Sequence, residues 1–257
     1  MLNLILHGEG APGRPLLIAH GLFGSARNWG VIARRLSDSR PVLAVDMRNH
    51  GDSPWTAAHD YPEMAADLAD VIATHGGPVD VLGHSMGGKA AMWLALTRPD
   101  LVARLVVADI APVAYGHSQN HLIEAMQALP LAQIATRAEA DSLLAARVSD
   151  PGVRAFLLQS LDLRAQPPGW RLNLPVLSEQ MARIIGWPET EGMPGFQGPT
   201  LFLTGALSDY VGAEHRPLIR QLFPRARHAS LPGAGHWLHA EKPREFEQAV
   251  QVFLDHA

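Results

Sequence analysis

The segment "GHSMGG" (83–88) holds the residue best suited to covalent chemistry, Ser85. It follows the strand-like run "VDVL" and precedes "KAAMWLAL", whose apolar residues recur at helical spacing. A serine between glycines at such a junction is typical of a nucleophile elbow. Gly83 and Gly87 allow a turn too tight for side chains, and the serine stands above the sheet. The segment therefore predicts that Ser85 is a nucleophile.

Two other interpretations of this turn start from the same residues. In the first, the turn is only a glycine-rich connection, and Ser85 caps the helix that follows. In the second, the loop binds phosphate, but alanine follows Lys89 where a phosphate-binding loop has serine or threonine. Because a strand and a helix flank the serine directly, we favour the nucleophile.

Attack on a carbonyl group places negative charge on its oxygen, and backbone N–H groups usually stabilise that charge. One donor is expected from the residue after the nucleophile, Met86. The other is expected from the loop after an early strand, and "AHGLFGSARNW" (19–29) is a glycine-flanked loop that opens into a helix. We therefore predict Leu22 as the second donor. Three histidines in or near these segments are expected to be structural or to line the substrate site: His20, His50 and His84.

A serine nucleophile needs a general base, and in this arrangement the base follows the final strand. The segment "LPGAGHWLHAEKP" (231–243) places His236 after two glycines at that point. We predict that His236 takes the Ser85 proton and returns it to the leaving group. His239 is the rival, and the pair would also suit a metal, but no H-E-x-x-H motif and no cysteine accompany it. We predict no metal site.

The elements that position these residues can be predicted from apolar patterning. Strand-like runs alternate with segments of helical period through the first hundred residues, and the alternation resumes at "PTLFLTG" (199–205). The strands read as continuous Val, Ile and Leu runs, as expected for strands that are buried on both faces. This pattern predicts an α/β fold with a mostly parallel central sheet and helices on both faces.

The alternation stops in the middle of the chain. Between residues 113 and 194 there is no strand-like run, only short amphipathic helices followed by turns rich in Pro, Gly and Trp. We predict a core of residues 1–112 and 195–257 and an inserted helical cap of residues 113–194. Apolar cap residues, with Phe23, Met86 and Trp187, are expected to line an acyl pocket.

Composition excludes several classes of function. The 257 residues carry a net charge of −4, which disfavours binding to nucleic acid or to an anionic membrane. The sequence contains no cysteine, which excludes disulfides and a cysteine nucleophile. The N-terminus lacks a basic segment, and no apolar run reaches the length of a membrane span. We expect a cytoplasmic protein without nucleic-acid or membrane partners and without a cofactor.

Several motifs together resemble one family. "HGLFGSARNW", "VDMRNHGDSP", "GHSMGGKAAM", "VVADIAPVAY" and "GAGHWLHAEKP" are similar to segments of the α/β-hydrolase superfamily, and most of all to its branch of small cofactor-free bacterial esterases and their mitochondrial relatives. The similarity extends over almost the whole chain, including "WRLNLPVL" (170–177). The resemblance implies the α/β-hydrolase fold and hydrolysis of short- to medium-chain acyl esters, with acyl thioesters as an extension.

The carboxylate that orients His236 has two candidates. In most of the superfamily it follows the strand matching "PTLFLTG" with the spacing G-x-x-D, but here that count reaches Ser208, and Asp209 comes one residue late. The resemblance to the esterase branch implies Asp109 in "VVADIAP" instead, at the end of the strand after the elbow helix. We favour Asp109, keep Asp209 as the alternative, and expect Ser208 to be an auxiliary member of the site.

These residues predict a serine carboxylester hydrolase that forms an acyl-enzyme with a small-molecule acyl ester. A C–C bond hydrolase or a cofactor-free perhydrolase on the same fold is an alternative within enzymes. A ligand-binding protein on a hydrolase scaffold is the alternative from another class, since a fold does not determine a function.

Overall fold

A computed structural model describes residues 1–256, and a seven-stranded sheet forms its centre. The strands of the protein are β1 Leu4–His7, β2 Leu16–Ala19, β3 Val42–Val45, β4 Val79–His84, β5 Val102–Ala108, β6 Leu161–Asp162, β7 Gly169–Trp170, β8 Thr200–Gly205 and β9 Ala226–Leu231. Their order in the central sheet is β1-β3-β2-β4-β5-β8-β9, with β1 antiparallel to β3 and the other neighbours parallel. The predicted mostly parallel sheet is confirmed.

Helices cover both faces of this sheet. They are α1 Gly30–Leu36, α2 Tyr61–Thr74, α3 Met86–Thr97, α4 Asn120–Gln127, α5 Arg137–Leu144, α6 Pro151–Leu158, α7 Leu174–Glu179, α8 Met181–Ile185, α9 Arg216–Leu222, α10 Leu238–Glu241 and α11 Pro243–His256. Short 3-10 helices lie at Ala26–Trp29, Pro99–Leu101, Leu131–Gln133 and Ala213–His215.

Two apolar layers hold the helices on the sheet. Along β5, Leu105 and Val107 join the layer that contains α2 and α3, whereas Val106 and Ala108 join the layer that contains α1 and α11. Alternate side chains of a strand point to opposite faces, so one buried strand contributes to both layers. This explains why the strands show continuous apolar runs rather than alternation.

The segment between β5 and β8 differs in part from its prediction. It holds helices α4 to α8, but also the two-residue strands β6 and β7, which pair antiparallel. The prediction of no strand in this segment is therefore wrong. The apolar spacing of "LAQIATRAEADSLLAARV" (131–148) predicts one helix, but this stretch is divided, because Thr136 caps a new helix that begins at Arg137 with a capping box to Glu139. Helices α7 and α8 lie where only turns were predicted.

The ends of the chain also add to the predictions. Strand β1 was not predicted, since its four residues carry no clear alternation and it pairs only at the edge of the sheet. The apolar spacing of "PREFEQAVQVFLDHA" (243–257) predicts a C-terminal helix. It is present as α11 up to His256, and Ala257 lies outside the described residues. In residues 1–256, no helix has the length and apolar character needed to cross a membrane. The division of the chain into core and cap stays a prediction.

The turn between β4 and α3 depends on the absence of side chains at two glycines. A Cβ atom on Gly83 would lie 2.2 Å from the carbonyl oxygen of Gly87, and one on Gly87 would lie 2.3 Å from that of Ala19. Both contacts are with backbone atoms, which cannot move aside as a flexible side chain can. Close packing of the turn against β2 therefore requires glycine.

Replacing Gly87 by alanine should destabilise the protein. We expect Gly87→Ala to lower the free energy of unfolding by about 2 kcal/mol or more, because the new methyl group overlaps the backbone of β2. Gly116→Ala is the matched control, since a Cβ atom there meets nothing within 4 Å. Urea unfolding of both variants measures the difference, and equal stabilities would contradict this account of the turn.

Candidate active site

Three side chains from separate loops meet at the carboxyl ends of the parallel strands. His236 Nε2 lies 3.0 Å from Ser85 Oγ, and His236 Nδ1 lies 2.7 Å from Asp109 Oδ2. Ser85 follows β4, Asp109 follows β5 and His236 follows β9. Because parallel strands end at one edge of the sheet, residues far apart in the sequence converge there.

Ser85 has the backbone conformation of a nucleophile elbow. Its φ of 53° and ψ of −119° lie outside the regions that L-residues usually adopt. Two backbone bonds hold it: its N–H donates to Ala108 O at 3.0 Å, and its carbonyl accepts from Lys89 N–H at 3.0 Å. A strained residue held by its surroundings is common at functional sites.

Asp109 is completely buried, and both of its carboxylate oxygens accept hydrogen bonds. Oδ1 accepts from the backbone N–H of Gly205 at 3.0 Å, whereas Oδ2 accepts from His236 and from the hydroxyl of Ser208. Asp109 also has a positive φ of 52°. A buried carboxylate is tolerated when its lone pairs are satisfied in this way.

The other predicted acid lies elsewhere. Asp209 is exposed and makes no hydrogen bond with His236 within the described chain. Ser208, one residue earlier, points inward and donates to Asp109. Ser208 therefore occupies the position at which the common G-x-x-D spacing would place the acid, and the structure brings Asp109, not Asp209, to the imidazole.

Two tyrosines that sequence reasoning missed support His236. The ring of Tyr210 stacks on the imidazole, with centroids 3.9 Å apart and an interplanar angle of 18°. The hydroxyl of Tyr115 accepts from Ala111 N–H at 2.9 Å and donates to Tyr210 O at 2.7 Å. The signal for Tyr210 was its place two residues after Ser208 in the same loop. Tyr115 carried no such signal.

The predicted oxyanion donors belong to two segments next to the serine, the turn after β2 and the start of α3. Residues Gly21 to Gly24 form a tight turn, closed by a 3.0 Å bond from Gly24 N–H to Gly21 O. A Cβ atom on Gly21 would lie 3.1 Å from Ser85 Cβ, so this turn runs directly past the nucleophile. Among residues 1–256, the backbone N–H groups of Leu22 and Met86 find no protein acceptor. Both groups are thus free to bind a substrate oxygen.

A cavity of about 470 Å³ opens beside Ser85. Its wall includes Phe23 and Met86, together with apolar side chains from the segment between β5 and β8: Leu122, Val148, Val153, Phe156, Leu157, Ile184 and Ile185. Trp187 does not belong to this wall, against its prediction. Its indole packs against Tyr61 and Trp93, with centroids 5.9 Å away from each, so it lies behind the wall.

Buried histidines surround the site in the neutral form. Met47 N–H donates to Nε2 of His20 at 2.9 Å, so the ring proton lies on Nδ1 and faces Gly21 O. Burial lowers the pKa of His20, and it lowers that of His84 further, with His239 and His236 adding to the effect. Burial brings the pKa of His239, which stacks on Trp29, to about 3. These rings are built into the loops as neutral hydrogen-bonding or packing groups.

Neutral burial of these histidines predicts acid sensitivity. Burial brings the pKa of His59 and of His239 from 6.5 to about 3. As the pH falls below 6.5, these two histidines therefore take up protons in the unfolded chain but stay neutral in the folded protein. The free energy of unfolding should therefore fall between pH 6.5 and 5, by about 1 kcal/mol per pH unit for each such histidine. Urea unfolding across this range measures the slope.

His239→Phe is the control for this prediction. Phenylalanine keeps a ring against Trp29 but cannot take up a proton, so the slope of stability against pH should decrease by the contribution of one proton. A slope that is unchanged in this variant would show that His239 does not carry the effect.

Comparison with known proteins gives the family. The sequence model of the family described as "alpha/beta hydrolase fold" matches residues 14–243 of this chain. The mouse (Mus musculus) sn-1-specific diacylglycerol lipase ABHD11 is 42% identical over 248 residues, covering 93% of this chain and 80% of that protein. Esterase YbfF of Escherichia coli (strain K12) is 40% identical over 244 residues, covering 94% and 93%. A solved structure titled "Marine microorganism esterase" has a TM-score of 0.92 at 37% identity and covers 98% of both chains. The chain therefore belongs to the alpha/beta hydrolase family.

Proposed function

We propose that this ester hydrolase cleaves short- to medium-chain acyl esters through an acyl-enzyme on Ser85. The observation that carries the proposal is the continuous hydrogen-bonded series from Ser85 Oγ through His236 to Asp109, at 3.0 and 2.7 Å. In this series His236 Nδ1 donates to the carboxylate, so Nε2 carries the lone pair that faces the serine hydroxyl. That arrangement suits removal of the hydroxyl proton during attack.

The acylation step uses each of these groups once. Ser85 Oγ attacks the ester carbonyl carbon while His236 Nε2 takes the hydroxyl proton. The carbonyl oxygen becomes an oxyanion and accepts hydrogen bonds from the backbone N–H groups of Leu22 and Met86. His236 then gives its proton to the leaving alcohol oxygen as the C–O bond breaks. Water, deprotonated by the same nitrogen, then attacks the acyl carbon. The bond from that carbon to Ser85 Oγ breaks, His236 returns the proton to Ser85 Oγ, and the carboxylic acid is released.

Asp109 and Ser208 orient the base rather than react. The Asp109 carboxylate holds the ring proton on Nδ1 and stabilises the imidazolium that forms during attack. Ser208 donates to the same carboxylate oxygen, and its own oxygen accepts from Tyr210 N–H at 3.3 Å. Ser208 is an auxiliary residue because it fixes the carboxylate and, through the next residues, the ring that stacks on His236.

The proposed substrate class follows from the cavity. Its largely apolar wall suits an acyl chain, and its volume of about 470 Å³ suits a short to medium one. Residues 113–194 act as a cap in this proposal, since Leu122, Phe156 and Ile184 from that segment cover the edge of the sheet above Ser85. The names of two relatives, a diacylglycerol lipase and an esterase, agree with an acyl ester. An acyl thioester would react by the same steps.

Hydrolysis of a graded series of p-nitrophenyl esters tests this function. We expect turnover that declines for long chains as the acyl group exceeds the cavity, and loss of turnover in Ser85→Ala. A fluorophosphonate probe should label Ser85, as mapped by mass spectrometry. An enzyme that neither turns over these esters nor takes the label at Ser85 would contradict the proposal.

The choice of acid is tested by two conservative substitutions. Asp109→Asn should lower kcat by about a thousandfold or more, because the amide stabilises neither the imidazolium nor the required tautomer. Asp209→Asn should retain kcat, since Asp209 is exposed and, within the described residues, makes no hydrogen bond with His236. Thermal unfolding shows whether each variant is folded. An active Asp109→Asn beside an inactive Asp209→Asn would reverse the assignment.

A further inference from the structure

The turn that carries Leu22 has an unfavourable backbone conformation at its next residue. Phe23 has a φ of 64°, in the left-handed region that non-glycine residues seldom adopt. A change in the φ of Phe23 turns the rigid peptide plane that joins it to Leu22, and Leu22 with its N–H on the preceding peptide turns as well. Contacts from outside the turn must hold Phe23 in this conformation.

Two side chains bind the two polar groups of Phe23. Its N–H donates to Nε2 of His50 at 3.1 Å, and its carbonyl accepts from the hydroxyl of Ser160 at 3.1 Å. His50 can accept because its other nitrogen, Nδ1, faces Arg48 O at 2.9 Å and carries the ring proton. Burial lowers the pKa of His50 well below its usual value, which keeps this acceptor available. Both side chains are buried, and neither lines the cavity.

Ser160 connects this support to the proposed cap. It follows α6, whose residues Val153, Phe156 and Leu157 line the cavity, and precedes β6. Its carbonyl accepts from Arg171 N–H at 2.8 Å. Arg171 also holds the loop that carries His50, because its carbonyl accepts a hydrogen bond from Gly51 N–H at 2.8 Å. A single segment of the cap therefore reaches Phe23 both directly and through His50.

We propose that His50 and Ser160 are positioning residues that hold Phe23, and through it the Leu22 N–H, in the conformation that binds the oxyanion. The inference rests on the proposed function. It adds that the cap takes part in forming the oxyanion hole, because Ser160 from that segment binds the turn beside the nucleophile. Neither residue touches the reacting atoms.

Ser160→Ala tests the inference with Gln159→Ala as its matched control. Gln159 is the preceding residue and also joins the cap to the core, through Asn28, but within the described residues it makes no hydrogen bond with Phe23. We expect Ser160→Ala to lower kcat about tenfold with KM within twofold of the wild type, since a misplaced donor weakens binding of the transition state more than that of the substrate. Gln159→Ala should retain kcat.

The affinity for a trifluoromethyl ketone separates positioning from general loss of structure. Such a ketone forms an adduct with the serine whose oxyanion occupies the hole, so its inhibition constant should rise about tenfold in Ser160→Ala. His50→Leu should have a larger effect, and His50→Gln, which restores an acceptor for Phe23 N–H, should recover most of it. Because His50→Leu removes a buried acceptor and can prevent folding, the glutamine and Ser160 variants carry the test.

The outcomes are distinct. An unchanged kcat and inhibition constant in Ser160→Ala, or a change in KM alone, would overturn the role of Ser160 while the esterase function stands. Equal losses in His50→Gln and His50→Leu would overturn the role of His50 as an acceptor. A wild-type enzyme without turnover or labelling of Ser85 would instead overturn the proposed function, and the inference with it.

Discussion

The buried carboxylate of Asp109 is the interaction on which the rest of the site depends. Without contact to solvent, it needs donors from the protein, and they come from three places: the end of β8 at Gly205, the following loop at Ser208, and the loop after β9 at His236. One group thus links the carboxyl ends of β5, β8 and β9. Leaving a charge of this kind buried and unpaired would cost several kcal/mol, so the partners are required for folding as well as for orientation of the base.

Backbone strain is concentrated in the loops that carry the site, where three of the four non-glycine residues of positive φ in the described chain lie. Ser85, Asp109 and Phe23 each have a positive φ, and each is held by hydrogen bonds from a different part of the chain. Conformations that cost about 1–3 kcal/mol each persist only where the surroundings determine them fully. The surroundings include two glycines that allow close backbone packing, at positions 83 and 87, and two neutral histidines that bind backbone groups, at positions 20 and 50. The surrounding loops are therefore precise because the groups that they hold are unfavourable in isolation.

Local sequence patterns and motifs predicted the fold and most residues of the site. The parallel sheet and its helices follow from apolar runs, and the resemblance to α/β-hydrolases is confirmed by relatives of 40 to 42% identity. Contacts between residues far apart in the sequence were missed. The hydrogen bond from Ser160 to Phe23 joins residues 137 positions apart, and Tyr210 has its role only because it stacks on His236, which lies in the loop after β9. The helices α7 and α8 escaped prediction because they are short and lie among prolines and glycines. The geometry brings Asp109 to His236, whereas its part in catalysis stays a prediction.

The proton between His236 and Asp109 offers the most direct test of this account. Proton NMR of the protein labelled with ¹⁵N-histidine should show a low-field signal from His236 Nδ1–H, because that proton lies in a 2.7 Å bond to a buried carboxylate. This signal should be lost or strongly shifted in Asp109→Asn and kept in Asp209→Asn. A signal that survives in Asp109→Asn and disappears in Asp209→Asn would contradict this account.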